Sequence, residues 1–152
     1  EVIHTPGHSQ DHLCLFAPRE HILFSGDHVL SGTTSVIWPP EGDMAAYLNS
    51  LVRVRDLDAE WLLPGHGEPI SKPREAVEVL IAHRLERESQ VLEAIGPDPA
   101  APSQLVAGLY DGYPPEVLEY AAQTLLAHCI KLESEGRIER LPGEGEARFR
   151  KP

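Results

Sequence analysis

The feature that most constrains this chain is a set of three short segments, each placing glycine beside histidine or aspartate at the end of an apolar run. They are His4-Thr5-Pro6-Gly7-His8-Ser9-Gln10-Asp11-His12, Ser25-Gly26-Asp27-His28 and Pro64-Gly65-His66-Gly67. Glycine lets the backbone turn sharply and come close to a bound ion. Histidine and carboxylate delivered from separate loops suit zinc, iron or manganese better than calcium, which prefers oxygen ligands alone. A lone histidine is more often a surface or hydrogen-bonded group than a ligand, so no single segment decides the matter. Their combination, in this order and each closing an apolar run, predicts a metal-binding edge made of strand ends.

The runs around these segments read as short strands. Val2-Ile3 is a strand stub, and Leu13-Cys14-Leu15-Phe16 and His21-Ile22-Leu23-Phe24 are of buried-strand type. Ala17-Pro18-Arg19-Glu20 between them predicts a hairpin. Asp43 is placed to cap a helix with Tyr47, Leu48, Leu51 and Val52 on one face. Trp61-Leu62-Leu63 is a further strand ending at Pro64-Gly65. From about Ser71 a long amphipathic helix follows, carrying Val77, Leu80, Ile81, Leu85, Val91, Leu92 and Ile95, with Pro73 in its first turn.

Gly96-Pro97-Asp98-Pro99-Ala100-Ala101-Pro102 cannot continue that helix and marks a boundary, giving domains at 1–95 and 96–152. Beyond it, Ser103 is expected to cap a short helix through Leu109 and Tyr110. Pro114-Pro115 opens a longer helix that stops at Gly136, and Arg137–Leu141 with Ala147–Arg150 flank a Gly-centred turn. Helix, helix and hairpin is the layout of a winged helix. The two cysteines, Cys14 and Cys129, stand far apart in sequence, so no disulfide framework is expected and a reducing cytoplasm is the expected location. No apolar run approaches a membrane span. The chain opens on Glu1-Val2-Ile3 without methionine, and is expected to be part of a longer protein.

The order HTPGHSxDH, a strand and GD, then a helix, a strand and PGHG resembles the second half of the metallo-β-lactamase superfamily. The later segments, including Ile81-Ala82-His83-Arg84, Arg87-Glu88 and the terminal helix–helix–hairpin, are similar to a lactamase-like subgroup with a C-terminal winged helix. The resemblance implies an α/β (α+β) fold: half of a four-layer αβ/βα sandwich followed by a winged-helix domain. It implies His8 as a ligand of one metal, His66 as a ligand of a second, and Asp27 as the carboxylate that bridges both and serves as the catalytic residue. His4, His12 and His28 are not ligand positions in that pattern and are expected to be structural groups or to orient ligands through hydrogen bonds; His21, His83 and His128 have no motif around them.

The family's HxHxDH signature, which supplies two ligands to each metal, occurs nowhere in these 152 residues. Two Zn²⁺ (or Fe or Mn) are therefore expected in an intact enzyme, with weak or absent metal and little activity in this chain alone. The activity implied is that of a hydrolase whose metal-activated hydroxide attacks an ester, thioester or amide-like small molecule. Two alternatives stand beside it: a single-strand-directed endoribonuclease, and a non-catalytic binding module using the winged helix.

Charge weighs among them. With 24 acidic against 13 basic residues the formal charge is -11, which disfavours a nucleic-acid coat. The second of the two final helices has Lys131 against Glu116, Glu119, Glu133 and Glu135, which disfavours sequence-specific DNA reading, while RNA stays open as a partner. Half of a sandwich also leaves a sheet face and edge uncovered. A missing N-terminal half, or a second copy in a homodimer, is the partner expected there.

Overall fold

In the computed structural model, which describes residues 1–152, the short apolar runs pair into a mixed sheet. Strands β1 (Val2–His4), β2 (Leu13–Ala17), β3 (Ile22–Gly26) and β4 (Trp61–Pro64) lie in the order β1-β2-β3-β4. The first three are antiparallel neighbours and β3–β4 is parallel. The tight turn predicted after Ala17 makes the β2–β3 hairpin. A parallel neighbour needs a crossover connection, and α1 (Met44–Arg55) lies within it. Asp43 caps α1 as the sequence predicts, its Oδ1 accepting the Ala46 N–H at 2.8 Å. The buried face of α1 is Met44, Tyr47, Ser50, Leu51 and Val54, so Val52, expected inside, is left outside.

Strand alternation gives the sheet two unlike faces. Cys14, Phe16, Leu23 and Leu62 are buried. The opposite face carries Val2, Leu13, Leu15, Phe24 and Trp61, each 44–67 % exposed. Cross-strand register lines Val2, Leu15, Phe24 and Leu63 into one row.

Helix α2 (Pro73–Ala94) starts with Pro73 in its first turn. The chain divides into two compact units, Glu1–Arg84 and Leu85–Pro152, so the division falls inside α2 rather than at the Gly/Pro-rich segment after it. The reason lies in the side chains: Val91 and Ile95 are fully buried in a core with Leu125, Cys129, Leu132, Ile138 and Phe149. Leu85, which helical spacing predicts to be buried, is half exposed.

The second unit contains α3 (Pro102–Leu109), α4 (Pro115–Ser134) and the two-stranded β5 (Glu139–Arg140) and β6 (Phe149–Arg150), with Ala100 bridging to Phe149. Ser103 does not cap α3. Pro102 takes the first helical position, which leaves Ala101 at the cap, and the Ser103 hydroxyl donates to Glu146 at 2.6 Å. Gly136 (φ 69°) closes α4 as predicted: its N–H donates to Glu133 O at 2.9 Å and the Arg137 N–H to Leu132 O at 2.9 Å. Both cysteines are free and buried. No helix is long and apolar enough to cross a membrane.

A carboxylate lies inside this unit. Glu88 accepts from Lys131 Nζ at 2.8 Å and faces His128 Nδ1 at 3.5 Å. Burial pushes its carboxyl up, but the hydrogen bonds from His128 and Lys131 and the Lys131 charge bring it net below the usual range. A carboxyl lowered on folding contributes stability above its unfolded value, about pH 4.3, and loses it as pH falls through the folded value. We therefore expect Glu88→Gln to lower stability by on the order of 2 kcal/mol at neutral pH. In chemical denaturation the gap from wild type should stay constant between about pH 6 and 8 and close below about pH 4.

Candidate metal centre

The site is assembled where β3 and β4 end side by side. The pairing register shifts between Phe24 and Gly26, so Ser25 is an extra residue and the end of β3 is re-aimed. The Gly65 N–H donates to Gly26 O at 2.7 Å, which draws the loop after β4 against the one after β3. A Cβ on Gly65 would stand 2.6 Å from Asp27 Oδ1 and 3.1 Å from both C and O of Gly26. Glycine is needed there because the Asp27 carboxylate occupies the space a side chain would take.

His8 arrives from the loop between β1 and β2. That loop is pinned beside α1: Gly7 O accepts the Asp43 N–H at 2.8 Å, and Ser50 Oγ donates to Pro6 O at 2.8 Å. A Cβ at Gly7 would lie 2.3 Å from Tyr47 Cα, so only glycine permits this approach. His8 Nδ1 is 2.8 Å from Val36 O. A carbonyl can only accept, so Nδ1 carries a proton, and in the neutral ring the lone pair is on Nε2.

The three sequence-predicted residues come together around Asp27. His66 Nε2 is 3.5 Å from Asp27 Oδ1, and His8 Nε2 is 4.0 Å from Asp27 Oδ2. Each carboxylate oxygen thus faces a different imidazole. Zinc–ligand bonds of about 2.1 Å set two ligand atoms on a tetrahedral ion about 3.4 Å apart. The His66 pair matches that spacing, and the His8 pair exceeds it by about 0.6 Å, within the movement of a partly exposed side chain. The donor set fits two ions sharing Asp27, with one imidazole and one carboxylate oxygen for each. No three His, Cys, Asp or Glu groups converge on a single point.

The other histidines of these segments take the structural one of the two expected roles. His4 Nε2 donates to Gln10 O at 2.8 Å, and His12 Nδ1 is 2.8 Å from Thr5 Oγ1. Neither hydrogen-bonds His8, Asp27 or His66. His28 is fully buried, edge-on to Tyr47 with ring centroids 4.9 Å apart. Burial first, then the neighbouring His12, pushes its pKa down to about 3, and burial likewise lowers that of His12. His28 is therefore a neutral packing group at pH 7. What orients the predicted ligands is the backbone of Val36 and the hydroxyl of Ser35, which donates to the carbonyl of Asp27 in a short bond. No motif signals Ser35 or Val36; their place follows only from the path of the loop before α1.

Comparison with known proteins identifies the family. Residues 1–66 match the family model described as the metallo-beta-lactamase superfamily, and residues 101–147 match the beta-lactamase associated winged helix domain. A beta-lactamase-like protein 2 homolog from Drosophila melanogaster is 36% identical over 140 residues, 90% of this chain and 46% of its own. A metallo-beta-lactamase family protein from Thermus thermophilus superposes over the whole chain with TM-score 0.86 at 27% identity, covering 49% of that protein. A beta-lactamase domain protein from Burkholderia ambifaria does so at 0.88 and 28%, covering 48%. The class is therefore that of mixed α/β metallo-β-lactamase-fold proteins. Within it, the chain belongs to the metallo-β-lactamase superfamily members that carry the associated winged helix, and it spans about half the length of these relatives.

The contact at Gly65 gives a direct expectation. Gly65→Ala should displace the Asp27 carboxylate while leaving the rest of the sheet intact. Cobalt titration followed by absorbance should then read at least tenfold weaker binding than wild type, with far-ultraviolet circular dichroism unchanged. Equal affinity would mean that Asp27 is not held as described.

Proposed function

We propose that this chain supplies His8, Asp27 and His66 to the two-metal centre of a hydrolase acting on an ester, thioester or amide-like small molecule. The observation that carries the reading is the Asp27 carboxylate turned with one oxygen toward each of two imidazole Nε2 atoms. When bound, the two ions supply Lewis acidity and activation of a nucleophile at neutral pH.

The chain's own groups prepare that chemistry. Val36 O holds Nδ1 as the donor, so that Nε2 is the ring nitrogen turned toward the metal position. Asp27 couples the two positions, because both ions depend on its one carboxylate. His66, the most exposed of the three, is carried on the turn that Gly65 and Gly67 permit. Each ion receives two protein ligands here, one fewer than catalytic zinc ordinarily takes. A further ligand for each must come from outside these residues, and by itself this chain binds metal weakly and turns over little. The apolar face formed by Leu13, Leu15, Phe24 and Trp61 is where we infer that the layer bringing those ligands docks.

A small-molecule substrate is favoured by a cavity of about 700 Å³ in the same unit, walled by Val29, Ile70, Val79 and Leu80 with Ser31 and Thr34. Ser31 joins it to the metal centre, its N–H meeting His66 O at 3.4 Å. The winged helix, by contrast, has little free positive charge to offer phosphates. Lys131 is engaged by Glu88 and Glu135, Arg140 by Glu133, Arg150 by Glu139, and Arg148 donates to Pro99 O. That favours the hydrolase reading over a ribonuclease or a nucleic-acid-binding module.

Zinc titration by calorimetry on this chain tests the proposal. Asp27→Ala should abolish measurable binding at both positions, and His8→Ala and His66→Ala should each remove one. His4→Ala should change the affinity less than twofold. Retained binding in Asp27→Ala would overturn the shared-carboxylate reading.

A further inference from the structure

The ligands that this reading assigns are held by a stretch with no regular structure, and that stretch is itself gripped from below. Residues 35 and 36 belong to neither helix nor strand, so no ladder of backbone hydrogen bonds fixes them. Yet Val36 O sets the His8 ring at 2.8 Å, and Ser35 Oγ, besides its short bond to Asp27 O, lies 3.1 Å from His28 O. A carbonyl that orients a ligand is only as well placed as the loop that carries it.

Arg84, on α2, reaches this loop. Its Nη2 donates to Ser35 O at 2.5 Å. The residue is 2 % exposed, and its guanidinium lies 5.5 Å from the Tyr47 ring centroid. Tyr47 in turn donates its hydroxyl to His28 O at 2.8 Å. No carboxylate pairs with Arg84, and its Nε has no hydrogen-bond partner. A buried guanidinium without a carboxylate is costly. If packing alone were needed, an apolar residue of the same length would fill the position at lower cost.

We propose that Arg84 is a positioning residue for the metal centre. It acts through Ser35 and Val36 to lock His8 as the Nδ1–H tautomer and to hold Asp27 between the two imidazoles. The proposal rests on the reading of His8 and Asp27 as ligands, but its first consequence needs no metal. Nitrogen-15 NMR of the metal-free chain near pH 8 should find His8 wholly in the Nδ1–H form. In Arg84→Met the His8 signal should move to a mixture of tautomers, and in Arg84→Lys it should return most of the way, since an ammonium can still donate to Ser35 O. Cobalt affinity should fall about tenfold to hundredfold in Arg84→Met, as for other residues that support a ligand from behind, and recover in Arg84→Lys.

Ser35→Ala, which keeps the carbonyl at position 35 and removes the hydroxyl on Asp27, should lower cobalt affinity while leaving the His8 tautomer in place. It provides the decision if Arg84→Met does not fold. An Arg84→Met protein that folds, keeps the Nδ1–H tautomer and binds cobalt within twofold of wild type would overturn the proposal. So would a folded Ser35→Ala with unchanged cobalt affinity. If instead cobalt binding is indifferent to His8→Ala and Asp27→Ala, the ligand reading fails, and the tautomer result alone still decides whether Arg84 holds the loop.

Discussion

The site depends on the parallel pairing of β3 with β4, because that pairing brings two loop starts from distant parts of the chain to one edge. In an antiparallel pair the end of one strand lies beside the start of the next, so Asp27 and His66 would fall at opposite ends of the sheet. Parallel register puts Gly26 opposite Pro64, and the bond from Gly65 N–H to Gly26 O then closes the gap. Everything else at this edge adjusts to that fact. The extra residue at Ser25 aims Asp27, Gly65 leaves room for its carboxylate, and the crossover that parallel strands demand provides α1, against which the His8 loop is pinned.

The polar resources of the chain are used in two different ways. In the first unit they hold irregular backbone in place: Ser35, Tyr47 and Arg84 all act on the loop after Asp27, and Arg53 donates to His4 O at 2.8 Å. In the second unit several close on one another: Lys131 faces Glu88, Arg140 faces Glu133 and Arg150 faces Glu139.

Much of this was legible in the sequence, because its strongest signals are local. Alternating and continuous apolar runs marked the strands, Asp43 and Gly136 marked helix ends through backbone hydrogen bonds a few residues away, and glycine beside His8, Asp27 and His66 marked the loop positions that converge. What could not be read depends on the path of loops in space. His4 and His12, set apart from His8 by the family pattern, turn toward Gln10 and Thr5, and nothing in their spacing gives those partners. Ser35 and Val36 act through a hydroxyl and a carbonyl, and any residue supplies a carbonyl. Arg84 sits on a helix face like any amphipathic arginine until the loop above it is placed. The Ser103 cap failed for a local reason that was available: Pro102 is the better first residue of a helix, which moves the cap back by two positions to Ala101.

The most direct measurement of the central claim is anomalous diffraction at the zinc edge from crystals of this chain soaked in zinc. The account predicts two peaks flanking the Asp27 carboxylate, one between Oδ1 and His66 Nε2 and the other between Oδ2 and His8 Nε2. A single peak away from Asp27, or zinc bound by His4, His12 or His28 instead, would contradict it.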